Sequence, residues 1–183
     1  MRMQERHAGA AEIRTARLTI IPFARDLALV ALRDRAELAR RLGGIVPDGW
    51  PGPEMTGYMP AYTGELAEQP ERSTWVRLAL RTADRALIGD MGFHGPPDGQ
   101  GTVELGYSIA PAYRRQGYAS EGARGLVAWA FAQPQVRRII ARCAPDNAGS
   151  IRVLERAGLR QIGTHGVYLL WELRREEYAS PPG

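Results

Sequence analysis

The stretch Glu104-Leu105-Gly106-Tyr107-Ser108-Ile109-Ala110-Pro111-Ala112-Tyr113-Arg114-Arg115-Gln116-Gly117-Tyr118-Ala119-Ser120-Glu121-Gly122 decides how the chain is read. Its first part belongs to a run from Val103 to Ile109 that reads as a strand, and its last part opens a helix that the pattern carries to about Phe131. Between them lies a turn with one glycine and two adjacent arginines. A helix start leaves backbone NH groups without intrahelical acceptors and carries partial positive charge, so it suits an anion such as a pyrophosphate. Gly117 gives the backbone room to approach a phosphate, Ala119 keeps the flank of the turn small, and Arg114 and Arg115 add charge. Taken alone, the same residues also describe an ordinary solvated helix start.

The charge of the whole chain supports a local anionic ligand. All 24 basic residues among the 183 are arginines, which excludes a Schiff-base lysine, a pyridoxal phosphate lysine and a Walker-type phosphate lysine. Residues 1–100 hold thirteen Arg against thirteen Asp and Glu, whereas residues 101–160 hold nine against four, so the basic excess sits around the turn. A nucleic-acid surface would need aromatics interleaved with these charges or a recognition helix, and neither is present, so no nucleic-acid partner is expected. Cys143 is the lone cysteine and lies in an apolar run, which argues for an inert buried thiol and against a disulfide or thiolate metal cluster. With no apolar window of membrane-spanning length and no apolar run after the basic start Met1–His7, the expectation is a cytoplasmic protein without a membrane partner.

Working outward, Arg17 to Pro22 reads as a first strand, and Asp26 caps a helix from Leu27 to Leu42 that stops at Gly43-Gly44. A Pro- and Gly-rich loop over 45–53 precedes a helix from Glu54 to Glu68. Strands at 75–80 and 86–93 follow, joined by a hairpin turn, then the loop 95–101 and the central strand. After the central helix come a strand at 138–143, a helix from about Asn147 to Ala157, and a closing hairpin at 160–164 and 167–173. The fold class is therefore α/β: a mixed, mostly antiparallel sheet of six to seven strands with a central βαβ unit and flanking helices. One domain is expected over residues 14–176, with tails at 1–13 and 177–183.

Arg114, Gly117 and Ala119 fill the pattern Gln/Arg-x-x-Gly-x-Gly/Ala, and 28 residues beyond Ala119 comes Asn147-Ala148-Gly149-Ser150-Ile151-Arg152-Val153-Leu154-Glu155-Arg156-Ala157-Gly158-Leu159. These two runs resemble motifs A and B of the GNAT N-acetyltransferase superfamily, in the branch of the ribosomal-protein acetyltransferases RimJ and RimL. Thr15 to Ile20 with Asp26, and Leu87-Ile88-Gly89 with Gly92-Phe93, extend the likeness across nearly all of residues 14–176. It is weakest over 45–71, the region that varies with the acceptor.

The resemblance implies a GNAT fold whose βαβ unit binds acetyl-CoA as co-substrate, without a metal. It implies that an amine attacks the thioester directly while both substrates are bound. The implied cofactor contacts are Ile109, Arg114, Arg115, Gln116, Gly117, Tyr118, Ala119 and Ser120, with Asn147 on the pantetheine arm and Arg152 at a phosphate. An amine of pKa about 10.4 is under about 0.1% neutral at pH 7, so a base is needed. Strand alternation puts Glu104, Gly106 and Ser108 on one face, and Glu104 is the candidate base, acting through water, unless it is only a salt-bridged strand carboxylate. Leu154 stands where many members carry a tyrosine proton donor, which leaves Ser150 as the candidate acid or as a helix cap alone. Trp50 and His94 are candidates for the acceptor pocket, with core packing an equal account of Trp50. Neither His94 nor His165 has a second ligand at metal spacing, so no metal site is expected. The acceptor is either a small-molecule amine or a protein N-terminus, and the branch leaves room for a homodimer. The competing reading is a non-catalytic acyl-CoA sensor, which Leu154 alone supports.

Overall fold

Apolar runs bounded by Pro, Gly and Asp become strands close to their expected places in a computed structural model that describes residues 12–178. They are β1 (Ile13–Arg14), β2 (Leu18–Pro22), β3 (Val76–Arg81), β4 (Leu87–Phe93), β5 (Thr102–Ile109), β6 (Arg138–Cys143), β7 (Arg160–His165) and β8 (Tyr168–Arg174). One sheet contains all eight in the order β1-β2-β3-β4-β5-β6-β8-β7, antiparallel except for the parallel pair β5–β6. The eighth strand beyond the expected six to seven is β1, which pairs Ile13 with Ile20 on β2. Ile13, expected at the end of a tail, is buried, and Glu177 and Tyr178, expected in the other tail, contact Arg160 and Phe131. The outer parts of both expected tails lie outside the described residues.

The helices are α1 (Arg25–Ala31), α2 (Arg35–Leu42), α3 (Pro53–Glu68), α4 (Tyr118–Ala132) and α5 (Ala148–Arg156). The single helix expected over 27–42 is two. Asp34 takes an extended backbone and its carboxylate accepts from the Glu37 NH at 2.8 Å, so a side-chain cap restarts the helix three residues after α1 ends. Asp26 sits in the first turn of α1, whose N-cap is Ala24.

Two apolar cores hold the layers together. On one face of the sheet, Leu126, Val127 and Ala130 of α4 pack on Ile88, Met91 and Ile139. On the other, Leu38, Tyr62 and Leu66 of α2 and α3 pack on Leu78, Leu80 and Phe23. Among the described residues no helix is long and apolar enough to cross a membrane.

The central crossover β5-α4-β6 positions the site. β5 and β6 are in register only at Thr102↔Arg138, Val103↔Ile139 and Glu104↔Ile140. Beyond Glu104 the strands part: Leu105–Ile109 keeps pairing with β4, while Ala141–Cys143 keeps pairing with β8. The result is a wedge in the sheet, open toward the N-termini of α4 and α5.

Candidate active site

Two clefts meet at this wedge. The first, of about 770 Å³, runs from the end of β5 past the turn 114–117 to the starts of α4 and α5. The second, of about 650 Å³, lies between α3, β4, β5 and β8. Four residues line both: Glu54, Tyr107, Ser108 and Ser150. A molecule extending from one cleft into the other therefore passes these four.

The first cleft has the chemistry to take an anion. Gly117 is the N-cap of α4, at φ 82° in the left-handed region where glycine carries no penalty, and no side chain caps the helix. The opening NH groups of α4 thus keep their hydrogen-bonding capacity for a ligand. Arg115 also has a positive φ, of 62°, which turns the chain into that cap. Arg114, Arg115, Arg152 and Arg156 all line the cleft, the last two one helical turn apart on α5. The Arg114 Nε donates to the Ile109 carbonyl at 2.7 Å, pinning the end of β5 to the turn.

Most of the residues expected at the cofactor line this cleft: Ile109, Arg114, Arg115, Gly117, Tyr118, Ala119, Ser120, Asn147 and Arg152. Gln116 does not. Its amide donates to the Ala112 carbonyl at 3.2 Å, and its own carbonyl accepts from Arg17 at 3.0 Å. Arg17 also pairs with Glu121 at 2.7 Å and lies over the Tyr118 ring, so the segment before β2 braces the turn from behind. Asn147 caps α5, its Oδ1 accepting from the Ser150 NH at 3.0 Å. No local pattern marks Arg156 or the Arg17 brace, because both depend on which side of the turn the neighbouring elements approach.

The second cleft has apolar walls with charge at two levels. Glu104 lines it but is engaged: Arg142 donates to it twice, at 2.7 and 2.8 Å, and His94 Nδ1 lies 3.6 Å away. Burial alone would raise this carboxyl, but the hydrogen bonds and charges of His94 and Arg142 outweigh it and hold it at about 2. Such a carboxylate is a weak proton acceptor near neutral pH. His94 lines the same cleft and is largely exposed.

Trp50 does not line the cleft; it is 2% exposed, in the core under α3. Its indole NH instead donates to Asp90 Oδ1 at 2.9 Å, and Asp90 does line the cleft. Asp90 is 8% exposed, and burial raises its carboxyl to about 6 against the opposing Trp50 hydrogen bond, with the charge of Glu54 adding to the rise. In the sequence this buried carboxylate is marked only by a lone aspartate inside the apolar run Leu87–Phe93.

Leu154 is buried and lines the second cleft. Near it the Tyr107 hydroxyl donates to the Ser150 carbonyl at 3.3 Å, and burial raises the phenol to about 12. Cys143 is buried and its thiol is raised by burial, so it stays a protonated, unreactive group. Among the described residues no group of three or more His, Cys, Asp or Glu is arranged to hold a metal ion.

Comparison with known proteins bears on this geometry. The family model for the acetyltransferase (GNAT) domain matches residues 17–160. The Bacillus subtilis protein named uncharacterized N-acetyltransferase YjdG is 31% identical over 122 residues, spanning 65% of this chain and 71% of its own. The crystal structure of a GNAT-family acetyltransferase from Bacillus anthracis shares the fold with a TM-score of 0.63 at 22% identity, over 91% of this chain and 100% of that one. RimL, the ribosomal L7/L12 alpha-N-protein acetyltransferase solved in complex with coenzyme A, gives 0.63 at 13% identity, over 92% and 100%. An open sheet that parts beside an uncapped helix start is thus matched by a family model covering most of the chain, and the protein belongs to the GNAT acetyltransferases, enzymes that take their acyl group from acetyl-CoA.

Proposed function

We propose that this enzyme carries acetyl from acetyl-CoA to a primary amine by direct attack, with CoA in the first cleft and the amine in the second. The observation that carries this reading is that Glu54, Tyr107, Ser108 and Ser150 line both clefts. A molecule in one cleft would reach a molecule in the other at these four residues. The NH groups at the start of α4, with Arg114, Arg115, Arg152 and Arg156, suit the pyrophosphate and ribose phosphate. Backbone of β5 beyond Glu104, released from β6, is available to the pantetheine amides and to the thioester oxygen.

In the reaction the amine nitrogen bonds to the thioester carbon, the C–S bond breaks, and the electron pair leaves on sulfur. Of the two protons the ammonium gives up, one goes to the CoA sulfur and one to solvent through a base. For the first, Ser150 and the Tyr107 phenol bonded to it stand at the junction and take the place of the donor that Leu154 cannot be. Glu104, tied to Arg142 and His94, acts by holding the base of the wedge rather than as the proton acceptor. Cys143 takes no part, which fits attack without a covalent enzyme intermediate.

Gly117→Glu tests the cofactor assignment. The side chain would force a left-handed φ on a non-glycine residue and set a carboxylate at the phosphate position. Acetyl-CoA affinity measured by calorimetry should fall by at least about 100-fold, with the far-ultraviolet circular dichroism of the fold retained. Unchanged affinity would remove the cofactor from this turn.

A further inference from the structure

We propose that Asp90 is the catalytic residue that receives the acceptor's ammonium and takes up its proton, and that the acceptor is a monoamine with an apolar or aromatic body. This rests on the acetyltransferase reading above and names its base and substrate class. Asp90 pairs in register with Ser108, and opposed residues in an antiparallel pair hold their Cβ atoms about 5 Å apart. Ser108 lines both clefts, so the carboxylate lies one residue from the point where the two substrates meet. The Trp50 indole NH donates to Oδ1 and not to Oδ2, and Asp90 lines the second cleft.

Two of the cleft's other carboxylates are already matched. Glu65 pairs with Arg72 at 3.1 Å, and Glu104 with Arg142 and His94. Arg77 on β3 faces the other side of the sheet, over Trp129. The phenols of Tyr58, Tyr107 and Tyr168 line the walls, and Tyr58 is held above its usual value by burial and by Glu65. Among the described residues only Asp90 and Glu54 of the cleft's carboxylates lack a cationic partner, and Glu54 is exposed at the first turn of α3. That leaves a place for one ammonium near the junction. A polyamine's further ammonium groups would find Glu65 and Glu104 occupied and only the solvent-exposed Glu54 unpartnered. Met55, Phe93, Leu105, Leu154 and Tyr168 suit an apolar body instead.

Proton transfer from the ammonium to Asp90 frees the nitrogen lone pair that forms the N–C bond, and Asp90 then releases that proton to solvent. The second N–H proton ends on the sulfur as the C–S bond breaks. A carboxyl titrating at about 6 is ionised at neutral pH and is a stronger base than an exposed aspartate.

The test compares wild type with Asp90→Asn, which retains a carbonyl oxygen for the Trp50 NH, using phenethylamine, hexylamine, spermidine and a tripeptide with a free N-terminus, read as CoA thiol release. Wild type should prefer phenethylamine or hexylamine over spermidine and the tripeptide by at least about tenfold in kcat/KM. Asp90→Asn should lower kcat by about 100- to 1,000-fold at pH 7, and the deficit should shrink about tenfold per pH unit as neutral amine accumulates. Undiminished kcat, or the same loss at every pH, would overturn the role of Asp90. Preference for spermidine or the tripeptide would overturn the substrate class while leaving the acetyltransferase reading standing. Acetyl-CoA binding with no thiol release for any amine would sink both. Should the variant not fold, phenethylamine binding to CoA-loaded wild type decides: affinity should fall about tenfold per unit below pH 6, and constant affinity down to pH 5 would overturn the proposal.

Discussion

At Asp90 the ionised carboxylate has one indole donor and little water, so the folded chain holds a proton there up to about pH 6, against 3.8 for the free side chain. Folding therefore takes up a proton between those values, and this residue's share of stability is lost as pH rises through them, on the order of 3 kcal/mol once ionised. Asp90→Asn should accordingly raise the melting temperature at pH 7 by several degrees, with the gain vanishing near pH 4. A lower melting temperature at pH 7 would mean the charge is compensated. Glu104 has the opposite sign. Its carboxyl is held at about 2, below the free value of 4.5, so it stabilises the fold above pH 4.5 and that share is lost as pH falls toward 2. Glu104→Gln should thus melt earlier than wild type at pH 7, and the gap should close on acidification. The sequence showed both carboxylates but not this contrast. Their environments come from Trp50 and Arg142, each some forty residues away, and no spacing along the chain encodes such contacts.

Among the elements, β4 and β5 carry the site between them, and their closeness depends on Gly89. A methyl group there would come within 2.0 Å of the Ser108 carbonyl oxygen and 3.1 Å of the Ile109 Cα, backbone atoms that cannot rotate away. Gly89→Ala should cost about 1–3 kcal/mol through forced separation of the strands. It should also weaken acetyl-CoA binding, since Ile109 is the residue Arg114 ties to the turn. An unchanged melting temperature would show that the strands have slack. Elements of this kind are the most legible part of the chain: β2 to β8 lie within a residue or two of their expected bounds, because β-branched runs and Gly or Pro punctuation act locally, whereas the two-residue β1 carries no such pattern. The helix over 27–42 misled for an equally local reason, since the cap at Asp34 competes with an apolar period that runs through it.

For the whole molecule, β1–β5 and β6–β8 are joined by three register pairs and by the core under α4. A ligand that fills the wedge adds contacts to both halves. Acetyl-CoA at 100 times its dissociation constant should add about 2.7 kcal/mol, a rise of roughly 5–10 °C in melting temperature. Pantetheine without the nucleotide should give much less, because the four cleft arginines would find no phosphate. The glycine and arginines that line the first cleft could be read in advance, whereas the second cleft could not, its walls being drawn from α3, β4, β5 and β8 at once. The guanidinium-only composition of the chain has one further consequence. A thioester held for transfer can acylate nearby side-chain amines by mistake, but every cationic side chain that lines the first cleft is an arginine, which is too weak a nucleophile to be consumed. The enzyme is chemically resistant to its own reagent: mass spectrometry after prolonged incubation with acetyl-CoA should find no acetylated side-chain nitrogen.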